Sequence, residues 1–273
     1  MSLAPLIKYA NKSFTLPDTC VRLRQLLDDP RSGAREMAQV MSFDPSLSAK
    51  VLRLANSALF RFPSQITSVP KALSIIGGEA AYNISMAETA NLAFKSFSSS
   101  LLDFDKFWEK SVLTGIIARS IAQQIQERGS ERYFVMGILI HLSELVCATK
   151  LDEKYEQYLA KDSESLPLET QKKIFGFTFS ECSGLILEGW KLPENLYAGI
   201  QKLSLYEKQQ LSKDESILYM ATTMADMQQG QELLQHPEIN LQAIESIGLN
   251  DYEYDIIYEF ALSESSKIAQ AIN

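Results

Sequence analysis

The chain has 273 residues, 46% hydrophobic and 22% charged, enough to bury one large core or two modest ones. With 26 Lys and Arg against 34 Asp and Glu the formal net charge is -8, which repels a phosphate backbone and argues against duplex nucleic acid as a general partner. The balance is uneven: residues 1–100 carry 11 basic and 7 acidic side chains and residues 101–273 carry 15 and 27, which reads either as two solvated surfaces or as a docking contrast.

In chain order, Met1 to Leu6 lacks the basic residues and long apolar run of a secretory signal. A helix is expected from about Asp18 to Leu27, ending at Asp28-Asp29-Pro30, and a second over Ala34 to Met41. Asp44-Pro45 opens a third with an N-cap and a first-turn proline. Its apolar stripe is Leu47, Val51, Leu54 and Ala58, and Lys50, Arg53 and Ser57 fall on another face as a basic outer edge, with Arg61 at its end. Ser68 caps a helix through Ile76, and Gly77-Gly78 separates it from a longer one to about Phe94. Ser96 to Ser100 reads as a connection between two lobes.

Long helices are then expected over Phe104 to Gln126 and Glu131 to Thr149, with shorter ones at Glu153–Ala160, Leu168–Ile174, Ser180–Glu188 and Pro193–Gln201. Asp214 to Gln228, ended by Gly230, and Asp251 to Ile272 complete the set. The most apolar segment, Tyr133 to Ala148, holds His141, Ser143 and Glu144 and is shorter than the roughly 20 apolar residues of a membrane span, so it reads as a buried helix and no membrane partner is expected. Cys20, Cys147 and Cys182 are odd in number and widely spaced, which suits a reducing cytoplasm better than a disulfide framework or zinc knuckle. The expected fold class is all-α.

The order Leu16-Pro17, Asp28-Asp29-Pro30, Phe43 through Phe60 with its Asp-Pro-x-Leu and Leu-Ala-Asn-Ser-Ala blocks, Ile66-Thr67-Ser68, and Ala72 through Gly77 resembles the opening of an HDOD domain. The resemblance continues through Phe107-Trp108, Gly137-Ile138-Leu139 and Gly189-Trp190-Lys191-Leu192-Pro193. It implies a compact helical domain of bacterial signalling proteins over residues 14–205, with an N-terminal lobe at about 1–100 and an HD-like lobe at 101–205, completed by helices in 206–273.

In the related HD phosphohydrolases a histidine, a His-Asp doublet and a distant aspartate hold a divalent metal whose bound water attacks phosphorus. Carried onto this chain, the first histidine slot holds Lys110, and the doublet slots hold Ile140 and His141. Further histidine slots hold Phe179 and Leu203-Ser204, and only the distant aspartate is kept, as Asp226. Metal activation of water usually needs three protein ligands, so no metal or other cofactor is expected. His141 and Asp226 are either a remnant two-ligand site or a core histidine bonded to Asp226 or to backbone, and His236 reads as solvated.

Two histidines leave no base to spare for a Ser or Cys nucleophile, and no Gly-x-Ser-x-Gly elbow, P-loop or dinucleotide fingerprint occurs. The acids Asp251, Glu253, Asp255 and Glu259 read as a solvated helix face. The candidate anion or partner surface is Lys50, Arg53, Asn56 and Arg61, with Arg22, Arg31 and Arg35 nearby, against a reading in which Asn56 braces the following loop and the cations are merely exposed. The expected function is non-catalytic regulation through a signalling protein or a small phosphorylated ligand. The alternative is a metal-dependent phosphohydrolase of the HD superfamily.

Overall fold

The computed structural model describes residues 3–60, 62–160, 166–203, 211–227, 230–236 and 239–273, and among these there is no strand. The helices are α1 (Ala4–Ser13), α2 (Asp18–Asp28), α3 (Ala34–Ser42), α4 (Pro45–Ala55), α5 (Val69–Lys95), α6 (Phe104–Gln124), α7 (Glu131–Leu139) and α8 (Leu142–Lys150). They continue as α9 (Asp152–Leu159), α10 (Pro167–Phe175), α11 (Phe179–Gly189), α12 (Glu194–Lys202), α13 (Lys213–Asp226), α14 (Leu241–Ile247) and α15 (Asp251–Ala271).

Local signals set the boundaries. Asp44 accepts from Leu47 N at 3.0 Å and Ser68 from Lys71 N, so each side chain satisfies an amide that the first helical turn leaves open. Gly77 has φ +82°, which glycine alone adopts without strain, and its non-helical backbone kinks Val69–Lys95 into two helical stretches, as expected of the Gly77-Gly78 pair. Helix α4 stops at Ala55, so Ala58, expected on its buried stripe, lies beyond the helix and is exposed.

The long helix expected over Glu131 to Thr149 breaks at Ile140-His141, giving α7 and α8. The Ser183 hydroxyl of α11 compensates: it accepts from Ser143 N and donates to Ile140 O, both at 2.9 Å, satisfying polar groups released by the break. Glu131–Lys150 is the one segment among the described residues apolar and long enough for a membrane span, and 83% of that window is buried inside the protein. Helices α1 and α14 were not expected.

Helices α6 and α7 form the centre. Gly115 and Gly137 meet so closely that a Cβ on Gly137 would lie 2.6 Å from Gly115 Cα, and this contact brings the α7–α8 break beside α6. Helices α13 and α15 flank α6, where Trp108 Nε1 donates to Ala269 O at 3.1 Å. Helix α5 packs on α3 and α4 and also on α7, so elements from both sides of residue 100 share one core running from Leu6 to Ile272.

Candidate functional site

Three elements converge where the resemblance puts a metal. Helix α6 presents Lys110 and Thr114, one turn apart; the α7–α8 break presents His141, with Glu144 in the first turn of α8; and α13 ends at Asp226. Lys110 Nζ lies 2.5 Å from Asp226 Oδ1. The two expected remnants are not joined directly: His141 Nε2 bonds Thr114 Oγ1 at 3.0 Å, and the Asp226 carboxylate is taken by the ammonium. Because the Thr114 hydroxyl donates to Lys110 O at 2.9 Å, its oxygen accepts from His141, which puts the imidazole proton on Nε2. The edge of Phe107 meets the ring, and Glu144 is held by the Tyr155 hydroxyl at 2.9 Å.

The electrostatics follow from this geometry. Burial and the neighbouring Lys110 charge push the His141 imidazole down to about 3, against an opposing pull from Asp226, so it is neutral at physiological pH. Burial works against the Lys110 charge too, but the Asp226 and Glu144 carboxylates outweigh it and hold the ammonium above the ordinary lysine range. Burial likewise opposes the Asp226 charge and is outweighed by Lys110, so this carboxyl titrates below its ordinary value. About a third of each side chain remains accessible, 38% for Lys110 and 34% for Asp226, so the pair forms a partly open charged plug.

A divalent ion needs several electron-pair donors directed at one point. Among the described residues no group of three or more His, Cys, Asp or Glu side chains is placed to hold one. Asp226 faces an ammonium, and His141, with Nε2 on a hydroxyl, has only Nδ1 left as a single donor, so these residues do not fit the metal of the HD phosphohydrolases. Phe179 and Leu203, from the other histidine slots, are buried apolar groups, and Ser204 lies outside the described residues. His236 is buried rather than solvated, and its pKa is lowered by that burial while Asp226 pulls the other way.

The expected basic edge is also rearranged. Lys50 is buried, not exposed, and its Nζ pairs with Glu88 at 3.1 Å across α4 and α5. Asn56 braces the loop: Oδ1 accepts from Ile66 N at 2.7 Å and Nδ2 donates to Ile66 O at 2.8 Å. Arg61 lies outside the described residues, and Arg31 folds onto Asp29. Arg53 and Arg22 are exposed. Sequence reasoning passed over Arg119, a buried cation on α6 that donates to Leu59 O at 2.7 Å and sits 4.8 Å over the Phe60 ring. Its signal was present: a lone arginine in the apolar run Ile116-Ile117-Ala118-Arg119-Ser120-Ile121.

The three thiols are unpaired and buried, and burial pushes Cys20 up to about 11 and Cys182 up to about 12, which suppresses the nucleophilic thiolate.

Residues 14–204 match the HDOD domain family. Solved structures with the same fold include a protein from Shewanella amazonensis SB2B named as a candidate phosphohydrolase (TM-score 0.74, 20% identity, covering 98% of each chain). A second is an HDOD domain protein with unknown function from Geobacter sulfurreducens (TM-score 0.68, 20% identity, covering 99% of this chain and 98% of that one). A third, from Marinobacter aquaeolei VT8, is named as a candidate signal transduction protein (TM-score 0.70, 17% identity), of which 59% is covered by 95% of this chain. A comparison with functionally curated proteins finds no significant match.

Proposed function

The chain belongs to the HDOD domain family, and on that premise we propose that it is a non-catalytic regulatory protein of signal transduction, acting by binding a signalling protein or a small phosphorylated ligand. The observation that carries this reading is the Lys110–Asp226 pair. A fixed cation engages the one aspartate that the metal enzymes would use, so a divalent ion entering there would have to displace an ammonium already neutralised by that carboxylate. The reading also rests on His141, whose Nε2 is tied to Thr114 and whose Nδ1 lies 4.0 Å from Glu144, so the ring adds at most one donor where several are needed.

The exposed residue best suited to recognition is Arg53, whose fork matches carboxylate and phosphate and which pairs with no acid among the described residues. The buried free thiols agree with a cytoplasmic location. The alternative, a metal-dependent phosphohydrolase, draws on the name of the Shewanella amazonensis neighbour. The deciding experiment is metal analysis of protein purified without chelator, together with phosphoester hydrolysis by wild type and His141→Ala. The expected result is no stoichiometric metal and no hydrolysis. Bound Fe, Mn or Mg with an activity lost in the variant would establish the enzyme instead.

A further inference from the structure

Two surfaces left open by the fold are complementary to each other. The first is a groove of about 690 Å³ along α3 and the start of α5, walled by Ala34, Arg35, Ala38, Phe43 and Pro70. Phe43 ends α3 with 86% of its surface in water, an unusual position for a whole aromatic ring and one that rewards any contact that covers it. Arg35 is exposed on the same wall and makes no ion pair among the described residues.

The second surface is the outer face of α15. Tyr252, Ile256 and Leu262 are 72%, 52% and 42% exposed, and helical spacing puts them on one side together with the exposed acids Asp255 and Glu259. Neither acid has an ion-pair partner among the described residues. The opposite side of α15, with Tyr254, Ile257, Ala261 and Ile268, is spent on the core. An apolar ridge edged by acids on a 21-residue helix has the form that enters a hydrophobic groove through anchors about one turn apart.

We propose that the α3 groove is an interface between two copies of this chain, occupied by the acidic, apolar face of α15 from the second copy. Charge selects this occupant. A chain of net charge -8 repels its copy, so association has to bring the positive part of one copy onto the negative part of the other. Residues 1–100, with 11 basic and 7 acidic groups, carry the groove, and residues 101–273, with 15 and 27, carry α15. Since each copy has both surfaces, two such contacts related by a two-fold axis close a dimer without leaving an open chain of subunits.

Sedimentation velocity of the full chain over a dilution series tests the proposal. Wild type is expected to shift from monomer to dimer with concentration, and Phe43→Asp and Ile256→Asp are each expected to weaken dimerisation by about thirtyfold. Arg35→Glu and Glu259→Arg should each weaken it, and the double variant carrying both changes should regain affinity, because the exchanged charges meet again. All four positions are exposed, so melting of the monomer should stay near wild type; if Phe43→Asp is misfolded, Ile256→Asp decides. A wild type that is monomeric at every concentration overturns the proposal. So does a dimer indifferent to the Ile256 change, or a charge-exchanged double variant no tighter than its parents.

Discussion

The Lys110 ammonium and the Asp226 carboxylate meet at 2.5 Å, joining the middle of the chain to its C-terminal third at the point where α6, α8 and α13 converge. The pair supplies its own countercharge, as a metal and its ligands would, but does so with a group that cannot activate water. Removing one partner leaves the other charge poorly solvated, and the one-third accessibility of both side chains tempers the cost.

Lys110→Met and Asp226→Leu should therefore each destabilise the fold by about 1–2 kcal/mol, while the double variant should lose much less than their sum. Urea unfolding of the four proteins gives the coupling. Strict additivity would mean that the two groups do not act as a pair.

The pH dependence of stability should carry the mark of His141. The folded imidazole titrates near 3 while an ordinary imidazole titrates near 6.5, so below about 6.5 the unfolded chain takes up a proton that the folded chain refuses. Stability falls as the pH drops through this window, by about 2 kcal/mol between pH 6.5 and 5. His236, also lowered, adds in the same direction. Asp226 acts in a separate window: its pKa is depressed, so its contribution is present above the unfolded carboxylate value and is lost only as the pH falls through the lower folded one. In denaturant melts at pH 7 and pH 5, His141→Gln should show a markedly smaller acid loss than wild type. Equal losses would show that the ring is not held neutral.

Asn56 and Arg53 stand close in sequence yet should behave oppositely. Asn56→Ala deletes the two-way brace to Ile66 and leaves backbone groups unpaired, at a cost of about 1–3 kcal/mol. Arg53→Glu changes an exposed side chain and should leave the melting temperature within a degree or two of wild type, yet abolish capture of an acidic or phosphorylated partner. Thermal melts separate the two roles, and capture that survives Arg53→Glu would remove this face from the binding reading.

Much of this fold is legible in the sequence because its boundaries are written locally. Asp44 and Ser68 cap the helices they were expected to cap, and Gly77 marks a real bend. The break at Ile140-His141 is not legible, since nothing local marks it and the polar groups it releases are met by the Ser183 hydroxyl, 43 residues away from Ile140. The metal slots could be read one at a time, which exposed Lys110 as a foreign cation, but its closure onto Asp226 is a long-range contact. Lys50 misled for a similar reason: its place on the helical wheel is polar by residue type, and only α5 supplies the Glu88 that lets it be buried.

Rebuilding the ligand set tests the same logic from the opposite side. Lys110→His, Ile140→His and His141→Asp together, with Asp226 kept, restore the histidine, the doublet and the distant aspartate of the HD phosphohydrolase pattern. Lys110 has to be included because its ammonium would otherwise compete for Asp226. Ile140 is buried, so the new imidazole should destabilise the metal-free variant, and an ion that binds only the folded state should restore that loss. Thermal unfolding with increasing Mn²⁺ should raise the melting temperature of the triple variant by several degrees, as expected for about 2–3 kcal/mol of linkage at a hundredfold excess over Kd, and should leave wild type unmoved. A folded triple variant indifferent to Mn²⁺ would mean that these positions do not face one point. A wild type that responds as strongly as the variant would mean that the Lys110–Asp226 pair does not exclude metal, and the regulatory reading would fall with it.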